Sequence, residues 1–78
     1  MPRLPRISGK DTVRALQRAG FEVFDTEGSH VYLHKRIGDR FIGRVTIPVH
    51  GKKLLKPKTL KSILQQAGLT VQELINLL

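Results

Sequence analysis

The chain has 78 residues, 40% of them hydrophobic, with three Phe, one Tyr and no Trp. A doubly wound dinucleotide domain or an α/β barrel needs roughly 150 to 250 residues, so any activity here must come from a small surface or a partner. Its 14 Lys plus Arg against 6 Asp plus Glu give a net charge of +8, which points to a polyanionic partner.

The absence of cysteine excludes disulfides, thiolate zinc sites and cysteine nucleophiles together, and it suits a reducing cytoplasm. Packing alone must hold the domain, and at this size every apolar face should be used. No run approaches the roughly 18 apolar residues of a membrane span, and Met1 to Arg6 lacks the apolar stretch of a signal peptide. The basic residues are spread over all segments instead of being gathered on one amphipathic helix, which favours nucleic acid over an anionic membrane surface. The expectation is a cytoplasmic protein with no membrane contact.

Pro2 and Pro5 block a helix between Arg3 and Arg6, so residues 1–7 are expected as a flexible basic arm ahead of a single domain over 8–78. Ser8 can cap a helix over about 9–19, with Asp11 in the first turn, where the dipole favours it, and Gly20 as the stop. Val13, Leu16 and Ala19 keep near-helical spacing, while Lys10, Arg14 and Arg18 recur every four residues on another face. That second face is either a solvated, mutually repelling row or a phosphate-contacting one.

Three runs of period two follow, Phe21 to Thr26, Ser29 to Lys35 and Phe41 to Val49, separated by Glu27-Gly28 and Ile37-Gly38-Asp39. They predict a three-stranded antiparallel meander. On the second strand Val31 and Leu33 point one way and His30, Tyr32 and His34 the other. On the third, Phe41, Gly43, Val45, Ile47 and Val49 share one face, and Arg44, Thr46 and His50 the opposite one. Helices are expected over the Val31, Leu33, Val45 and Ile47 face, leaving His30, Tyr32, His34 and Arg44 towards water.

Beyond Gly51 the chain is dense in lysine: Lys52, Lys53, Lys56, Lys58 and Lys61. Pro57 suits the first turn of a helix over 57–67, in which Leu60, Ile63, Leu64 and Ala67 form an apolar stripe and Gly68 ends the run. Thr70-Val71-Gln72-Glu73 is a capping box, opening a third short helix expected to pack on the sheet or on helix two. The order α-β-β-β-α-α predicts one α+β domain: a three-stranded antiparallel sheet with its helices on one face.

Histidine is the side chain best suited to move a proton near neutrality. His30 stands beside the tight turn Gly28-Ser29, and it reads either as an exposed residue in a cross-strand pair or as a general base. His34 lies four residues on, about 13 Å at roughly 3.3 Å per residue. That is too far to share one proton transfer with His30, and a surface or phosphate contact is expected. His50 ends the third strand, which a meander brings near the start of the second; it reads as a turn residue or as a partner of His30. The carboxylates are scattered, with no ligand-set spacing, and Ser8, Ser29 and Ser62 sit in no nucleophile motif, so chemistry without metal or other cofactor is expected. RNA fits such a site, because its 2′-hydroxyl is a built-in nucleophile that one base and a few cations can activate.

Ser8-Gly9-Lys10, Ala19-Gly20-Phe21, Gly28-Ser29-His30, Ile47-Pro48-Val49-His50-Gly51 and the run Leu55 to Leu69 occur in this order and together resemble the HicA toxins, the YcfA/HicA-like group, over about residues 7–78. The resemblance implies a fold similar to double-stranded RNA-binding domains. It also implies a ribosome-independent mRNA interferase of a type II toxin-antitoxin pair, acting on RNA and neutralised by a HicB-like antitoxin. It places catalysis on His30, the histidine of Gly-Ser-His. RNA contacts are expected from Lys10, Ser29, Tyr32, His34, Arg44, His50, Lys52, Lys53, Lys56, Lys58 and Lys61. Two departures stand out: Glu27 replaces the basic residue that many relatives carry, and Arg36 to Gly43 reads as longer than the usual hairpin loop.

Two other classes use the same charge. A non-catalytic RNA-binding module of this fold holds RNA without cutting it, and an adaptor turns its cationic face to an acidic protein alone. Intact RNA product marks the first, and lack of RNA affinity the second.

Overall fold

Local signals set the ends of the elements. Ser8 has an extended backbone, and its Oγ accepts from the amide of Asp11 at 3.1 Å, opening the first helix. A computed structural model describes residues 2–78 as α1 (Gly9–Arg18), β1 (Glu22–Glu27), β2 (His30–Ile37), β3 (Arg40–Pro48), α2 (Pro57–Ala67) and α3 (Val71–Leu77). Gly28 and Gly38 hold φ of 59° and 56° at the first position of the two-residue turns, and Ser29 and Asp39 stay out of the positive region, the type II′ pattern that suits the twist of a hairpin. The result is an antiparallel sheet in the order β1-β2-β3. Arg36 to Gly43, expected as a longer loop, is strand on both sides of that second tight turn. Of the arm expected over residues 1–7, Met1 lies outside the described residues, while Leu4 and Ile7 pack half-buried against the core.

One face of the sheet is covered. Leu33, Val45 and Ile47 are completely buried under Leu16 of α1, Leu60 and Ile63 of α2 and Leu74 of α3. Each such aliphatic side chain contributes about 1.5–3 kcal/mol on leaving water. The third helix differs from expectation in its partner. It packs mainly on α1, where Arg18 reaches across and its Nη1 donates to the carbonyl of Leu77 at 2.7 Å, satisfying an orphan group at the end of α3. One member of the basic row on α1 is thereby spent on the fold.

The other face is open, and two register slips decide what it carries. Leu33 pairs with Val45 but Lys35 with Ile42, so β3 holds one extra residue around Gly43. The slip turns over everything before it: Ile42 packs on the core in place of Phe41 and Gly43, and Phe41 moves to the open side with 57% of its surface exposed. On β1, Val23 pairs with Leu33 but Asp25 with Tyr32, and the bulged residue Phe24 also lies on the open side, its ring against His34. The expectation that Phe41 faces the helices is therefore corrected, because an unbroken period of two cannot survive a bulge.

Candidate functional site

His30 is the first residue of β2, immediately after the Gly28-Ser29 turn, and it is exposed. As the middle strand, β2 places it between two neighbours, Glu27 on β1 and Pro48 on β3. The chain end of β3 is tied to the same turn, since the amide of Val49 donates to the carbonyl of Ser29 at 2.7 Å. His50 follows directly and is exposed, so the meander brings the Gly-Ser-His turn and the His50 loop to one end of the sheet.

That end is stitched to α1 through backbone. Leu54 bridges to Ser8, and the amide of Leu55 donates to the carbonyl of Ile7 at 2.8 Å. Gly9 is required here for a steric reason: a Cβ at this position would lie 2.0 Å from the carbonyl oxygen of Pro48. Only a glycine lets the start of α1 lie flat on the last residues of β3, and that contact sets Lys10 beside the lysine loop.

Two hollows result. One of about 250 Å³ is lined by Pro48, His50, Lys53, Leu54, Leu55, Lys56 and Thr59, and it adjoins His30 through Pro48, its cross-strand neighbour. A second of about 340 Å³ is lined by Ser8, Lys10, Asp11, Arg14, Gly51, Lys52 and Leu54. Lys56 precedes α2 with an extended backbone and makes no side-chain cap, so the first amides of that helix are not occupied by a capping side chain. A helix start of this kind, surrounded by ammonium groups, attracts an anion such as a phosphate. Lys58 and Lys61 are exposed on α2 but line neither hollow.

Further along the open face, Tyr32 is half-buried, with the Arg44 guanidinium 4.7 Å from its ring centre. Its hydroxyl donates to Glu27 Oε2 at 3.5 Å, the long limit of such a bond. Glu27 is thus engaged by a neighbour on its own sheet face. His34 does not join the lysine end. Its ring is stacked on Phe24 at 4.5 Å between centroids and meets Phe41 edge-on at 5.1 Å.

The sequence expectations for His30, Ser29, His50, Lys53 and Lys56 thus fall on one end of the sheet, with Lys10 and Lys52 around the adjoining hollow. His34 stands apart at the other end of the open face. Phe24 and Phe41 were not anticipated there. The signal for Phe41 was present, since a glycine inside a strand pattern, Gly43, marks a bulge. In the sequence Gly9 stands out only as part of a motif, because its close approach to β3 depends on a contact far away in the chain. Among the described residues no group of three or more His, Cys, Asp or Glu is placed to hold a metal ion, and no helix is long and apolar enough to cross a membrane.

A family model described as HicA toxin of bacterial toxin-antitoxin matches residues 9–69. The chain belongs to the HicA toxin family. The matched span runs from the Gly9 contact through His30 and the lysine loop to the end of α2, so the end of the sheet described above lies inside it. As a HicA toxin the chain is one half of a toxin-antitoxin system, which implies an antitoxin partner. The comparison with curated proteins gives no match.

Proposed function

We propose that this HicA toxin is an endoribonuclease, an mRNA interferase, with His30 as its general base. His30 takes the proton of a ribose 2′-hydroxyl, the freed oxygen attacks the adjacent phosphorus, and the 5′ oxygen leaves and is protonated, giving a 2′,3′-cyclic phosphate end. Lys52, Lys53, Lys56 and Arg44 hold the phosphate backbone and stabilise the charge that develops on it. Ser29 and His50 border the scissile phosphate, and Lys10, Lys58 and Lys61 extend the cationic track. The nucleophile belongs to the substrate, so no cofactor enters the step.

One observation carries this reading: an exposed imidazole beside a tight turn on the central strand, whose cross-strand neighbour Pro48 lines a hollow with Lys53 and Lys56 in a chain of net charge +8. The antitoxin partner is a HicB-like protein that covers the His30 face and blocks RNA from it. The test is cleavage of single-stranded RNA in EDTA by wild type and by His30→Ala. Loss of about 10²- to 10⁴-fold in rate with the fold intact supports the assignment. A folded variant that cuts as well as wild type removes His30 from the mechanism, and wild-type protein that binds RNA but leaves it whole makes the chain a binding module.

A further inference from the structure

We infer that Phe24, His34 and Phe41 form a stacking platform for unpaired nucleobases, so that this toxin takes RNA that is single-stranded beside the cut. The inference rests on the ribonuclease reading and adds to it the structural class of substrate.

These rings are held where water reaches them. Phe24 and Phe41 keep 46% and 57% of their surface exposed. The bulge on β3 turns Phe41 to the open side, and Phe24 at the bulge on β1 faces the same way, so both phenyl rings meet His34 on the middle strand, one stacked and the other edge-on. An exposed cluster of this kind on a small domain marks a binding surface. Arg36 is the cross-strand partner of Phe41 and, with Lys35, His34, Phe41 and the acidic Glu22 that pairs with His34, lines a hollow of about 340 Å³, while Arg44 lies over Tyr32.

Flat rings with guanidinium groups on the β2 and β3 side, and Glu22 confined to the β1 edge, fit a ligand with flat apolar faces and a negative backbone that runs along β2 and β3, which is the chemistry of a single strand of nucleic acid. A duplex keeps its base faces stacked inside and offers them to no ring. The platform also shares its strand face with His30, four residues or about 13 Å away, so one strand can stack at His34 while its backbone reaches the imidazole.

The test uses a short single-stranded oligoribonucleotide carrying 2-aminopurine, whose fluorescence falls when it stacks, with Phe24→Leu and Phe41→Leu placed in the His30→Ala background so that the RNA stays whole. Leucine keeps apolar area at exposed positions and removes the ring. The inference expects affinity for the single strand to fall by roughly 5- to 150-fold per stacked base, quenching to be lost, and duplex binding to stay unchanged. Unchanged quenching and affinity overturn it, as does an equal loss on duplex RNA. A loss confined to binding of the antitoxin also overturns it, making the rings a protein interface. The same phenylalanine substitutions with His30 intact separate the two proposals: cleavage in EDTA at sub-saturating RNA that does not depend on the rings sinks the platform alone, whereas ring-dependent quenching without cleavage by wild type sinks the catalytic assignment alone.

Discussion

His30 and His34 sit on the same strand and the same sheet face, four residues apart, yet their surroundings have little in common. His30 stands exposed at the mouth of a type II′ turn, paired across the sheet with Pro48, which lines a hollow together with Lys53 and Lys56. His34 is held between two phenyl rings. The difference teaches that residue type and strand face do not assign a role; the elements packed around the side chain do. At one end a glycine contact between α1 and β3 gathers charge, and at the other two bulges gather rings.

The largest effect expected from this contrast is kinetic. His30→Ala should abolish most RNA cleavage, whereas His34→Ala should leave the rate at saturating RNA close to wild type and act on binding instead. Single-turnover cleavage over a range of enzyme concentrations measures both quantities. Equal losses of rate from the two substitutions would break the distinction between the ends.

A second contrast runs through the sheet rather than along it. Leu33 and Tyr32 are adjacent, but Leu33 is completely buried and Tyr32 faces the open side. Leu33→Ala should cost about 2–5 kcal/mol of stability, a large part of the 5–15 kcal/mol that typical domains possess. Tyr32→Phe loses only a long hydrogen bond on a surface, and its change should stay within about 0.5 kcal/mol. Urea unfolding of the two variants decides whether the helices cover only one face in solution.

The order of elements was legible because each boundary carries a local signal: Ser8 as cap, Gly28 and Gly38 at the turns, Pro57 at the start of α2, and the Thr70–Glu73 capping box, in which each side chain bonds the other's amide. The buried face of β2 and the later part of β3 was legible for the same reason, since period two holds wherever the ladder is regular. What escaped was non-local. The bulge on β3 changes the facing of Phe41 through the register with β2, and α3 finds α1 through Arg18, a residue whose pattern suggested a solvated or phosphate-contacting face. The lysine end was legible as a composition, but its assembly depends on the Gly9 to Pro48 contact between residues far apart in sequence.

That contact supplies the third prediction. Gly9→Ala places a methyl carbon against the Pro48 carbonyl, where backbone and not a flexible side chain must give way. A cost of about 1–3 kcal/mol is expected from overpacking, together with displacement of α1 from the loop that bears Lys52 and Lys53. Amide exchange should then rise around Leu54 and Leu55, whose backbone contacts to Ile7 and Ser8 depend on the same approach. An alanine tolerated without loss of stability or protection would show that the lysine loop does not depend on the approach of α1 to β3.

The smallest effect is on salt dependence, and it separates charge from rings most cleanly. Lys53 and Lys56 line the hollow that Pro48, the cross-strand neighbour of His30, also lines, and under the proposed function neutralising each as glutamine removes a phosphate contact without touching the core. For a single strand each lost contact should reduce the slope of log affinity against log salt by about 0.7. Phe24→Leu should weaken binding at every salt concentration and leave that slope alone, because stacking releases no counterions. Parallel titrations at several ionic strengths therefore assign each end of the open face its own interaction, and a slope that falls on loss of the ring, or holds on loss of the lysines, would exchange the roles given to them.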